Sequence, residues 1–285
     1  MINFFYREAF LNVNPGEPLR LRNKPITSGH VMRVSSLIRG DQIAEYLGAS
    51  INPQSIHEND INIYVKPMVR KGDDFTFEGK AYLDIIDGAN LAQVAHKHPE
   101  LGVIVCSQAD YKIMSKELPN NKIMLIPQHH CNFERNQRQS LSIKTVGVIG
   151  TKGAFPYLPQ GLKEALAERG IELLEFSKFF SRGDIIDFYM NIDVQIVWRP
   201  YKKILSNPLK LVNAASFGIP TIALDEKAFW ELKGSYIPVG TLEAILGALD
   251  SLRNDPKLYN SYSMECIEQS ERYHISKIAK LYEQL

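Results

Sequence analysis

The run from Ser206 to Ala223, Ser-Asn-Pro-Leu-Lys-Leu-Val-Asn-Ala-Ala-Ser-Phe-Gly-Ile-Pro-Thr-Ile-Ala, places anion-binding residue types at the start of a short helix. Asn207 is a good helix cap, and Pro208 suits the first helical position, where a missing N–H costs nothing. Gly218 ends the helix, Pro220 prevents its continuation, and Thr221 to Leu224 form an apolar strand. A helix start offers N–H groups and a positive dipole end, and Lys210 adds a full charge one turn in. That combination suits a diphosphate. An ordinary helix–strand unit shares the element order, but Lys, Gly and Pro at these set offsets favour the anion site.

The segment resembles the donor-binding helix of GT-B glycosyltransferases, whose pattern runs roughly Pro-x-Lys-x-x-Glu-Ala-x-x-x-Gly-x-Pro-x-Ile. Lys210, Ala214, Gly218 and Pro220 fall in place, and Asn213 stands where the family has Glu. The resemblance implies that Lys210 touches the diphosphate of a nucleotide sugar and that position 213 lies near the ribose. The retaining branch carries a second Glu eight positions earlier, where this chain has Leu205. Donor binding is therefore supported better than retaining chemistry, and the stereochemical outcome stays open.

Other residues belong to the expected phosphate-facing set. Gly150-Thr-Lys152-Gly153 follows a strand, where a glycine turn lets backbone N–H groups approach a ligand. Arg199 follows the strand 193–198, at the carboxyl edge where open α/β sheets bind ligands. Its alternative is a surface ion pair. Ser206, beside the helix start, can donate a hydroxyl hydrogen bond. Arg182, in Phe180-Ser-Arg-Gly-Asp184, lies in a loop that the resemblance places near the nucleobase.

Candidates for the base come from the first half. Ser28-Gly29-His30-Val-Met-Arg33 resembles the Gly-His-Val-x-Arg turn of some GT-B enzymes, whose His can act as a base. A neutral imidazole with a pKa near 6.5 can take the proton of an acceptor hydroxyl. The alternative is a helix-capping turn with an exposed His. Asp84 and Asp87 end a strand, where carboxylates serve as base or acceptor anchor; equally, Asp87-Gly88 forms a turn that caps the next helix. His129-His130-Cys131 invites a metal reading, but adjacent ligands on extended chain point in opposite directions and no second cluster is close. There is no Asp-x-Asp pair, the divalent-ion signature of the other major glycosyltransferase architecture. No cofactor or metal is expected beyond the nucleotide-sugar donor.

These residues need a scaffold of parallel sheets. Apolar runs at 143–149, 171–176, 193–198 and 220–224 alternate with helices near 157–169, 184–191 and 208–217, and an amphipathic helix spans Leu242 to Leu252. Residues 256–285 read as helical. In the first half, Asn3 to Phe10 reads as a strand, 11–29 as an extended loop and Val31 to Leu47 as a helix. Strands follow at 61–66, 80–86, 102–106 and 122–126, with helices near 90–97 and 109–118. The polar stretch Asn132 to Ser142 reads as an interdomain linker. The expected fold is α/β of GT-B type: an acceptor-binding domain over 1–135 and a donor-binding domain over 143–285. The resemblance sets these Rossmann-like halves across a cleft and returns the last helix to the first domain.

Composition sets the outer limits. The chain has 285 residues, 45% of them hydrophobic with 13 Phe and 13 Tyr, enough for two cores. A net charge of +1 gives no electrostatic footprint for nucleic acid. A nucleic-acid acceptor, as in base-glucosylating enzymes, stays open without gaining support. Three scattered cysteines argue for reduced thiols and a cytoplasmic location. The first residues lack the pattern of a signal peptide, and no apolar run reaches the 18 residues of a membrane span. The expected activity is sugar transfer from a nucleoside-diphosphate sugar to an unidentified hydroxyl. A nucleotide-sugar epimerase or hydrolase, and a non-catalytic two-domain ligand-binding protein, are the alternatives.

Overall fold

A computed structural model describes residues 1–6, 34–69, 74–139, 142–177, 181–200 and 204–285. The chain divides into two compact units, each built on its own parallel sheet.

The first unit holds Met1–His129, a short return ending at Asn207, and Ile275–Leu285. Its strands are β1 (Ile2–Phe5), β2 (Ser50–Ile51), β3 (Ile61–Val65), β4 (Lys80–Asp84), β5 (Gly102–Val105) and β6 (Ile123–Leu125). They lie in the order β2-β1-β3-β4-β5-β6, with every pairing parallel. Strands covered on both faces read as unbroken apolar runs, and all four residues of β5 are buried. Leu83, Val103 and Val105 pack with Leu91 and Ala95 of α3 (Leu91–Lys97) and Met114 of α4 (Gln108–Glu117). The Ser107 hydroxyl caps α4 by accepting the Asp110 amide at 3.1 Å.

The helix read at 31–47 is described from Val34. It runs through α1 (Val34–Ser36) and α2 (Gln42–Leu47), joined by one π turn at Leu37–Asp41 that buries Arg39, Gly40 and Asp41. The last helix, α10 (Ile275–Tyr282), buries Ile275, Ile278, Ala279 and Tyr282, the spacing of one helical face. It packs on the first unit through Phe4 and Tyr282, whose ring centroids are 5.4 Å apart.

The second unit holds His130 to residue 202 and Pro208–His274. Its strands β7 (Thr145–Ile149), β8 (Glu172–Phe176), β9 (Val194–Val197), β10 (Thr221–Leu224) and β11 (Tyr236–Val239) run parallel in the order β11-β10-β9-β7-β8. Val146, Val148, Val194 and Ile196 face α5 (Leu162–Glu168) and α8 (Leu242–Asn254) in one core cluster. The opposite side packs on Phe188 and Tyr189 of α6 (Arg182–Met190) and Ala214 of α7 (Leu209–Ser216). α9 (Pro256–Glu271) completes the unit.

Three readings change. Residues 152–157 form a 3₁₀ turn holding Pro156, so α5 starts only at Leu162, after Gly161 at φ +80°. β11 escaped notice because Pro238 interrupts its pattern; it is an edge strand, where a missing N–H is tolerated. The stretch 132–139 is no loose linker. Asn132 is fully buried and donates to the carbonyls of Asn136 and Ser216, both at 2.8 Å. The Arg138 amide donates to the Phe217 carbonyl at 2.9 Å. These polar residues serve the carbonyls at the end of α7, which no helix satisfies by itself.

Candidate functional site

β7 starts the second sheet, β8 lies on one side of it and β9 on the other, so the connections diverge between β7 and β9. At such a switch point an open parallel sheet leaves a crevice beyond the carboxyl ends of its strands. Gly150 follows β7 there. A Cβ built on Gly150 would stand 3.3 Å from the Lys210 ammonium nitrogen, so that nitrogen lies over the bare glycine backbone. Lys210 is the second residue of α7, and the structure thus brings together two of the residues read as phosphate-facing. The cation sits at a helix start, where backbone N–H groups and the dipole add positive potential.

The cap of α7 differs from expectation. Pro208, at φ −86° and ψ 17°, holds the cap position and makes no side-chain cap hydrogen bond. The Pro208 carbonyl accepts the Val212 amide at 3.0 Å. At the other end Gly218 takes φ +74°, and its amide reaches the Ala215 carbonyl. Ser206 and Asn207 belong to the first unit, where the Ser206 amide donates to Asp110.

Asn213 is buried, and its side-chain oxygen accepts the Cys131 amide at 2.9 Å. The side chain at the position where the resembling pattern has Glu is therefore engaged with the protein backbone. Burial pushes the neighbouring Cys131 thiol up to about 12. Arg182 forks onto Glu134 at 2.7 and 2.8 Å, donates to the Cys131 carbonyl and lies 4.5 Å from the Phe133 ring centre. Its hydrogen bonds hold the Glu134 carboxyl below the usual carboxylate range. Arg199 stands after β9 and forks onto Glu226 with two 2.7 Å bonds, over the ring of Phe229. Lys152, in the exposed 3₁₀ turn, stays on the surface near Gly150 in sequence.

In the first unit, Asp87 forms an ion pair with Lys66. Asp84 is fully buried and salt-bridged to Arg39 at 2.7 Å, so it is a structural carboxylate rather than a base. His30 lies outside the described residues. His129 and His130 are buried; the first binds the Ile38 carbonyl, and the second accepts the Asn132 amide. Among the described residues no group of three or more His, Cys, Asp or Glu could hold a metal ion. All three cysteines are free thiols.

Sequence reading passed over Asp225, at the carboxyl end of β10. It accepts the Tyr236 hydroxyl at 2.7 Å and the indole N–H of the exposed Trp230 at 3.1 and 3.2 Å. A carboxylate just beyond a strand end was the available signal, the same one that drew notice to Asp84 and Asp87.

The two parallel-sheet units define a GT-B α/β fold. No protein-family model matches the chain, and no curated protein matches it. Solved structures do. The GtfA/B complex matches with TM-score 0.59 at 12% identity, covering 90% of this chain and 61% of that one. TarM matches with TM-score 0.57 at 13% identity, covering 86% and 57%. Anabaena HepE, in complex with UDP and glucose, matches with TM-score 0.57 at 11% identity, covering 85% and 87%. The chain thus spans about three-fifths of the GtfA/B and TarM chains. Among the described residues no helix is long and apolar enough to cross a membrane.

Proposed function

We propose that the protein transfers a sugar from a nucleoside-diphosphate sugar to an acceptor hydroxyl in the cytoplasm, without a metal ion. The observation that carries this is the Lys210 ammonium over Gly150, at the switch point of the second sheet and the start of α7. As the bond between the sugar's anomeric carbon and the diphosphate breaks, negative charge grows on the leaving diphosphate. A cation fixed there acts on the transition state. The acceptor oxygen forms the new glycosidic bond and gives its proton to a base, with His30 the first candidate. Asp87 is a weaker one, because its carboxylate is already engaged in an ion pair with Lys66. HepE in complex with UDP and glucose supports a nucleotide-sugar donor.

A second reading rests on Asn213, Arg182 and Arg199. The resemblance puts the first two near the donor and the sheet edge suggests the third, yet all three have protein partners. A protein that binds a nucleotide without turning it over fits that arrangement. Incubation with a panel of nucleotide sugars separates the two: release of nucleoside diphosphate only with an acceptor supports transfer, and release without one indicates hydrolysis. Thermal stabilisation by a nucleotide with no turnover supports the binding protein.

A further inference from the structure

Gln195 stands in β9, in register with Gly147 of β7 on one side and Thr221 of β10 on the other. It is fully buried in a strand whose other residues, Val194, Ile196 and Val197, are apolar. A polar side chain in that setting is destabilising unless it is hydrogen-bonded, and here both of its polar atoms are. Nε2 donates to the Lys210 carbonyl at 3.1 Å and to the Thr221 hydroxyl at 3.0 Å, and Oε1 accepts the Tyr189 hydroxyl at 3.0 Å. This set fixes the orientation of the amide. Turned over, its oxygen would face the Lys210 carbonyl, two acceptors with no proton between them. The buried Tyr189 hydroxyl lies 3.4 Å from the same carbonyl, and the Asn213 side chain, one turn further along α7, hydrogen-bonds to it. Lys210 is the second residue of α7, so the network reaches the turn that carries the ammonium over Gly150.

We infer that Gln195 is a positioning residue for the donor site: it fixes the first turn of α7 on the sheet and so holds the Lys210 ammonium over Gly150. The inference rests on the reading of Lys210 as the group that meets the diphosphate. An apolar side chain of the same size would fill the space as well, and volume-conserving swaps ordinarily cost little. What only the amide supplies is direction. A satisfied buried polar network specifies one arrangement of its members, whereas apolar contacts are non-directional. The backbone of Gln195 is itself locked in the sheet, its amide donating to the Pro220 carbonyl at 3.0 Å. The helix start is thereby referred to the strands that end at the switch point, rather than to a loop.

Calorimetric titration of UDP, GDP, ADP and TDP into the full chain and its variants tests this. Gln195→Met keeps the size of the side chain and removes both donors. It should weaken the nucleotide that binds the parent by about 2–12-fold, the equivalent of one neutral hydrogen bond. In a Lys210→Met background the same substitution should weaken it no further, because residues that act through one another are not additive. Tyr189→Phe, which removes the hydroxyl that orients the amide, should show the same dependence on Lys210 and serves if Gln195→Met does not fold. Equal weakening in both backgrounds, or a lowered urea midpoint with unchanged affinity, overturns the inference and leaves Lys210 in its role. Absence of nucleotide binding to the parent overturns the donor reading and this inference with it.

Discussion

The side-chain oxygen of Asn213 accepts the backbone amide of Cys131 at 2.9 Å, tying α7 to the segment that opens the second unit. The same residue stands where the resembling pattern has Glu, and its side chain is bonded within the protein. Asn213→Ala leaves the Cys131 amide without this acceptor, a loss of about 1–3 kcal/mol for a buried donor. Chemical denaturation should show that drop. A variant as stable as the parent would mean that the bond adds nothing.

The buried pair of Arg39 and Asp84 gives a larger effect. Asp84→Ala strands a guanidinium in the interior, and breaking a buried pair from one side costs about 3–5 kcal/mol. Replacing both residues with apolar groups of similar size should recover much of that loss. Urea midpoints of the single and double variants check it; a single variant within 1 kcal/mol of the parent by the linear-extrapolation estimate would contradict a sealed pair.

Glu134 sets a pH dependence. Arg182 holds its carboxyl below the usual range, so the folded state binds a proton less readily than the unfolded chain. The stabilisation is present above the ordinary carboxylate pKa of about 4.3 and is lost as pH falls through the lower folded value. Nearly half of the Glu134 side chain is exposed, which screens the effect and keeps it modest. Glu134→Gln should therefore be less stable than the parent at pH 7, with the gap closing toward pH 3. An unchanged gap across that range would remove Glu134 from the acid response.

The fold was legible where physics is local. Mainly apolar runs marked β5, β7, β9 and β10, because strands covered on both faces have little polar side to show. Gly218 marked the end of α7, since its left-handed backbone suits glycine. The site was harder, because the partners that occupy its arginines lie far off in sequence. Glu134 is 48 residues from Arg182, and Glu226 is 27 from Arg199. No offset rule links such pairs, so Arg182 read as a cation beside the ligand, and the ion pair weighed for Arg199 had no named partner. Asn207 read as the cap of α7 for a similar reason: capping type is visible in sequence, but Pro208 had already taken the position.

The measurement closest to the central claim is calorimetric titration of UDP, GDP, ADP, TDP and CMP into the protein and into Lys210→Met. At least one nucleoside diphosphate should bind the parent. Removing the cation should then weaken that nucleotide by roughly 10–150-fold, the equivalent of a charge-assisted contact worth about 1.5–3 kcal/mol. Equal affinity in a folded Lys210→Met variant, or no binding of any nucleotide to the parent, would contradict it.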